Sequence, residues 1–339
     1  MNLSARLHAA GDVRLAEEPV PVPGAGESLV EVTAVGLCGS DLHWYAEGGI
    51  GDARIAHPIV GGHEMAGVVR GGALDGVRVA IDPAIPCHRC DLCRAGHPNL
   101  CRDIVFAGHG RRDGGLQRYL AWPTDRLHPL PDALTDADGA MLEPLGVAVH
   151  AVDLGHVPLG ADVAVLGCGP IGLLLIQVAR AAGAARVLAT DPLPHRRMAA
   201  VAYGADVVLD PADGSLPDAL ADFTDGRGAG VAFEIAGTDE AIEAAVTVVR
   251  PGGRVVLGGI PSTDTSAFPA AAARRKGLTF AMVRRMREVY PRALALVTGG
   301  RADVRSLVSH RYPLTSVAEA FAVANARKGL KVLIEPAGP

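Results

Sequence analysis

The stretch that most restricts how this chain can fold runs from Asp162 to Asp191. VAVL is a short apolar strand that leads into Gly167-x-Gly169-x-x-Gly172; the helical LLLIQVARAAG follows, and RVLATD reads as a second strand ending on Asp191. Glycines at that spacing, after a strand and before a helix, are a dinucleotide-binding fingerprint in the context it requires. Gly167 permits the tight turn, Gly169 lets backbone approach a pyrophosphate, and Gly172 lets the helix pack closely on the strand. Pro170 and Ile171, inside the loop, belong to the same candidate cofactor set. The helix N-terminus offers free N–H groups and a positive dipole end to the phosphates. Asp191 stands where a carboxylate accepts hydrogen bonds from ribose hydroxyls and repels a 2′-phosphate, so NAD is favoured over NADP. Arg196 and Arg197 nearby weaken that preference. Cys168 reads as a small filler of the loop.

The βα alternation continues through ADVVLD, GVAFEIAG, the helical DEAIEAAVTVVR and GGRVVLGGI, which indicates a parallel, doubly wound sheet. A chain of 339 residues exceeds one core, so two domains are expected. Before residue 150 the texture differs. SLVEVTAV alternates apolar and polar residues, the period of a half-buried strand, and Gly67–Val69 and Gly76–Ile81 read as further strands. This part is expected to be a β-rich domain. Asp136–Leu154 reads as helix, with Pro144 at a start or kink. After about residue 280 come a helix RMREVYPRALALVTGG, a strand RYPL, a helix SVAEAFAVANAR and a strand LKVLIE. With a net charge of −5, 49% hydrophobic and 20% charged residues, the chain has no general attraction for nucleic acid or anionic membrane. The N-terminus lacks the apolar core of a signal peptide and no run approaches a membrane span, so a cytoplasmic protein is expected.

Two stretches carry metal-ligand chemistry. Gly36–Glu64 concentrates Cys38, Ser40, Asp41, His43, His57, His63 and Glu64, the sulfur, imidazole and carboxylate donors that zinc takes. Cys38 and His63 are too far apart for one helical turn, so only a tertiary fold could join them. Further on, Cys87, Cys90, Cys93 and Cys101 have the spacing C-x2-C-x2-C-x7-C within a lobe at about 85–105. Four thiolates on so short a loop can close a tetrahedron around one structural zinc; an iron–sulfur cluster could also use four Cys. Glu143, inside an apolar run, is a carboxylate that needs exposure, a metal or a substrate to account for it.

With GLCGSDLHWYAEGGIGD, HPIVGGHEMAGVV, the four-Cys lobe, MLEPLGVAVHA, VLGCGPIG and HRYPLTSVAEAF, the chain resembles the zinc-dependent medium-chain dehydrogenases along nearly its whole length. Within them it is most similar to the sorbitol, xylitol and L-idonate 5-dehydrogenase branch. The resemblance implies an α/β chain: a GroES-like β-rich catalytic domain (1–150, rejoined by 281–339) and a Rossmann domain with a doubly wound parallel sheet (151–280). It implies Cys38 and His63 as catalytic zinc ligands, Glu64 and Glu143 dividing the remaining role, and Asp41 orienting the zinc-bound His. Ser40 and His43 resemble the relay that carries the alcohol proton to solvent. Trp44, Glu143 and Arg285 fall at substrate positions. Two departures bear on substrate: Trp44 precedes Tyr45 where the branch has the reverse order, and Met286 follows Arg285 where a Tyr is usual.

The activity implied is hydride transfer from a secondary alcohol of a polyol or sugar acid to NAD, with catalytic and structural zinc, a small-molecule substrate, and a homotetramer or homodimer. The same fold acting on L-threonine or 2,3-butanediol is an alternative, and a non-catalytic nucleotide-binding relic is another.

Overall fold

A computed structural model describes residues 1–338. The chain divides into two compact units: Met1–Glu143 together with the chain from Val304 onward, and Pro144–Asp303. The borders fall somewhat before 150 and well after 280. The second displacement has a packing reason, because Met286 and Val289 press on Gly146, and the helix Tyr290–Thr298 follows directly from them.

The first unit is built on a seven-stranded sheet. Glu27–Gly36 is its spine, antiparallel to Glu64–Arg70 from Leu29↔Arg70 to Gly36↔Glu64, and to Lys331–Glu335 at its end. That pairing returns the C-terminal strand to the residues that follow Gly36. Val30, Val32 and Val35 with Met65, Ile81, Trp122, Phe321 and Ile334 form the apolar core beneath it. The run Asp136–Leu154 is two helices, Asp136–Ala140 and Leu142–Gly155. Thr135 and Asp138 form a reciprocal capping box on the first, and Pro144 sits in the first turn of the second, where its missing N–H costs nothing.

The second unit contains six parallel strands in the order Val207–Leu209, Arg186–Thr190, Asp162–Leu166, Ala229–Glu234, Val249–Leu257, Thr279–Met282. The order reverses direction between Asp162–Leu166 and Ala229–Glu234, the switch point where dinucleotides bind in such sheets. The expected helix from Arg285 begins only at Tyr290, with Pro291 in its first turn; Arg285 itself is left-handed, at φ +53°, and cannot lie in a right-handed helix.

Candidate metal and dinucleotide sites

Cys38 and His63 are brought together by Asp41. Cys38 is the N-cap of the helix Gly39–Glu47, and its N–H donates to Asp41 Oδ2 at 3.0 Å. The other oxygen, Oδ1, accepts from Gly62 N at 3.2 Å and faces His63 Nδ1 at 3.6 Å. One buried carboxylate thereby ties the helix start to the turn before His63. Gly62 is required in that turn. Its φ is +83°, and a Cβ would stand 2.7 Å from Val35 Cγ1.

Charge follows this geometry. Burial alone would push the His63 imidazole down, but Asp41 and then Cys38 hold it well above its ordinary value. Against a burial that would raise it, His63 holds Asp41 down at about 2. Nδ1 of His63 is buried and makes no hydrogen bond. An imidazole with one nitrogen turned to a carboxylate and a thiol beside it is the donor arrangement that fits zinc.

The two glutamates differ. Glu64 is 1% exposed, and both its oxygens accept from Lys331 Nζ, one of them at 2.7 Å. Lys331 Nζ also donates to Leu37 O at 3.0 Å and is itself 2% exposed. Gly36, opposite Glu64 in the sheet, leaves room for that carboxylate; a Cβ there would lie 2.0 Å from Oε2. Glu143 is also buried, and burial pushes its carboxyl up to about 7; Glu64 and Asp82 add to this, while His63 and Lys331 oppose it. A carboxyl raised by burial and by another carboxylate is one that a nearby cation would ionise.

Lys331 has no signal in the sequence, where LKVLIE reads as an ordinary strand. His109 has none either. It lies in a ring cluster, its centroid 5.0 Å from His63, 5.2 Å from Phe106 and 5.8 Å from Trp44, and it joins Asp41 and His63 in a group whose ligand atoms lie within 4.8 Å of one another.

Ser40 is buried, and His43 Nδ1 meets Glu47 Oε1 at 2.9 Å, one helical turn on. The exchanged aromatic pair divides its faces. Trp44 turns inward against Leu7 and Ile59, with its indole N–H buried and without a hydrogen-bond partner, whereas Tyr45 stacks on Phe321 at 4.6 Å. Arg285 belongs to the second unit and is half-buried.

Cys87, Cys90, Cys93 and Cys101 converge with their sulfurs within 4.8 Å of one another. Backbone N–H groups of Cys87, Cys90 and Cys93 point at the sulfurs of Cys101, Cys87 and Cys90, at 3.3, 3.4 and 3.5 Å. The Cys93 N–H in particular brings the Cys90 thiol down to about 6. Sulfurs that collect N–H donors are stabilised as thiolates, the form a metal binds.

In the second unit two of the fingerprint glycines have a steric reason within the protein. Gly167 has φ +106°, and a Cβ would stand 2.9 Å from Ala236 N; a Cβ on Gly172 would stand 1.9 Å from Gly167 O. Around Gly169, the N-cap of the helix Pro170–Ala181, the only atom near an added Cβ is Arg196 Nη1 at 3.7 Å. That open cradle at a helix N-terminus fits a pyrophosphate. Ile171 follows in the helix's first turn. Asp191 is fixed at the neighbouring strand end, its carboxylate accepting from Cys168 N and Leu193 N, both at 2.8 Å, with Arg196 Nη1 at 3.9 Å. Two accepted bonds leave a carboxylate further acceptor sites for ribose hydroxyls. The Cys168 thiol is buried and pushed up to about 12 by that burial, so it fills space.

Among the described residues no helix is long and apolar enough to cross a membrane. Comparison with known proteins gives the following. Residues 24–132 match the alcohol dehydrogenase GroES-like domain and residues 170–299 the zinc-binding dehydrogenase family. "Probable D-xylulose reductase A" of Arthroderma otae is 39% identical across 98% of this chain and 97% of its own length. The sorbitol dehydrogenase of Bos taurus is 37% identical across 98% of this chain and 96% of its own. The crystal structure of L-idonate 5-dehydrogenase from Escherichia coli K-12 superposes with a TM-score of 0.91 at 29% identity, covering 98% of each chain.

Proposed function

The chain belongs to the zinc-dependent medium-chain dehydrogenase family, and from that premise we propose that it oxidises a secondary hydroxyl of a polyol or sugar acid of the sorbitol, xylitol or L-idonate kind, passing the hydride to NAD. It is an oxidoreductase with zinc and NAD as cofactors. The observation that carries the reading is the Cys38–Asp41–His63 arrangement, in which one carboxylate bonds to backbone beside a thiol and beside an imidazole and faces the imidazole itself.

Cys38, His63 and Glu143 would hold the catalytic metal in this reading, and Cys87, Cys90, Cys93 and Cys101 the structural one. Glu64 is a positioning residue, because both its oxygens are engaged by Lys331. When bound, zinc supplies Lewis acidity that lowers a hydroxyl's pKa, and NAD supplies the hydride acceptor. Asp41 Oδ1, facing His63 Nδ1 at 3.6 Å, favours a ring orientation that would leave the other nitrogen to a metal. Ser40 takes the hydroxyl proton and passes it to His43. With Nδ1–H donated to Glu47 Oε1, His43 keeps Nε2 as the accepting nitrogen, and half-exposed Glu47 connects the relay to water. Trp44, Phe106 and His109 give the metal residues an aromatic wall with nitrogen donors in it, which suits a ligand bearing several hydroxyls. Asp191 at the adenosine end supports NAD over NADP, with Arg196 softening the preference. We further propose a homo-oligomer, tetramer or dimer, working in the cytoplasm.

The test is NADH production from sorbitol, xylitol, L-idonate, 2,3-butanediol, L-threonine and simple alcohols, with metal content measured on the same preparation. Polyols or the sugar acid should lead; equal or faster turnover of simple alcohols would remove the polyol reading.

A further inference from the structure

Glu234 is a buried carboxylate that the chemistry above does not use. It ends the strand Ala229–Glu234 at the switch point of the parallel sheet and is 1% exposed. Its Oε1 accepts from Gly237 N at 2.6 Å. The N–H groups of Ala236, Gly259 and Thr238 also point at the carboxyl, opposing the upward push that burial gives it. Its backbone oxygen accepts from Gly258 N at 2.8 Å and from the same Gly259 N at 3.1 Å. One residue therefore gathers backbone from two loops, 235–238 after its own strand and 258–260 after the strand Val249–Leu257.

Those loops are interlocked and touch the fingerprint. Gly237 has φ +75° and a Cβ there would stand 2.4 Å from Ile260 O; a Cβ on Gly259 would stand 2.2 Å from Gly237 N. Ile235 N donates to Leu166 O at 2.8 Å, and Gly167 packs so closely on Ala236 that only glycine fits. A dinucleotide-binding sheet consists of two mononucleotide halves that meet at the crevice. Asp191 and the loop Gly167–Gly172 occupy the half formed by Asp162–Leu166, Arg186–Thr190 and Val207–Leu209. The loops that Glu234 organises belong to the other half, which by elimination takes the nicotinamide mononucleotide.

We propose that Glu234 is a positioning residue for the nicotinamide half of the cofactor: by holding the Gly237 N–H with its carboxylate and the Gly258 and Gly259 N–H groups with its backbone oxygen, it sets the shape of the two loops that receive the nicotinamide ribose and ring. The proposal rests on the reading of this unit as an NAD site. It separates Glu234 from a residue that merely stabilises the sheet, because it predicts a loss confined to one end of the ligand.

The experiment is isothermal titration of the zinc-loaded protein, without alcohol, against NAD and against ADP. Glu234→Gln keeps the shape but replaces an acceptor with an amide that faces N–H donors, and should weaken NAD roughly tenfold to a hundredfold while ADP stays within about twofold. Gly237→Ala, which strikes the same turn through its positive φ and the Ile260 carbonyl, should reproduce that split; Glu234→Asp should recover part of the NAD affinity. An equal loss for NAD and ADP in both variants, or no loss for either ligand, overturns the proposal. Wild-type protein that bound neither ligand would overturn the NAD reading and this proposal with it, a result distinct from the other two.

Discussion

Replacing Lys331 by Met tests the buried pair beside the metal residues. Lys331 Nζ lies 2.7 Å from Glu64 Oε1, and neither side chain reaches solvent. At an effective dielectric constant near 20 the attraction at that distance is about 6 kcal/mol, but desolvating two ions costs several kcal/mol each, so the intact pair is near break-even. Removing one partner is different. Glu64 would remain buried as an uncompensated carboxylate close to Glu143, which costs about 3–5 kcal/mol. Removing both charges, in Glu64→Gln with Lys331→Met, should return much of that loss. The assay is a double-mutant cycle by urea unfolding. Lys331 is held above its ordinary value, burial being overruled by Glu64 and then Cys38. The pair's contribution is therefore present below the ordinary lysine range and lost only as pH rises through the raised folded value. A Lys331→Met cost under about 1 kcal/mol, or strict additivity in the cycle, would refute the reasoning.

Asp138 is held below the usual carboxylate range, with burial opposed by Arg305 and by the Thr135 backbone N–H. Asp138→Asn should cost about 1–3 kcal/mol at neutral pH, and the difference from wild type should vanish as acid takes the wild-type carboxylate through its lowered pKa, followed by unfolding across a pH series. Cys93→Ser should reduce metal content from roughly two zinc ions per chain to roughly one, read by metal analysis. Gly172→Ala places a Cβ 1.9 Å from Gly167 O; it should cost about 1–3 kcal/mol of stability and weaken NAD binding in titration while zinc content stays at the wild-type level.

What the sequence made legible was what is local. The glycine loop carries its own steric logic within a few residues, and the structure gives Gly167 and Gly172 the backbone neighbours that demand a glycine while leaving the space at Gly169 open. The four-Cys lobe is equally self-contained. The meeting of Cys38 with His63 needed the family resemblance, since the link is a single aspartate bonding to backbone at both ends. Lys331 was invisible because its partner lies at the opposite end of the chain, joined only through the antiparallel return onto Glu27–Gly36. His109 was invisible because a histidine amid glycines and arginines reads as an exposed turn. The late start of the helix at Tyr290 had a signal in the sequence: Pro291 is far better placed in a first turn than in a helix interior. The divided helix at Met141 had one too, in Pro144, which falls in the first turn of the second helix.

The most direct measurement is anomalous diffraction at the zinc edge from crystals grown without chelators, on protein shown to oxidise a polyol with NAD. The account predicts two peaks, one within the four sulfurs of Cys87, Cys90, Cys93 and Cys101, and one bounded by Cys38 Sγ, His63 Nε2 and the Glu143 carboxylate, with Glu64 still on Lys331. An active enzyme with no peak between Cys38 and His63 would contradict it.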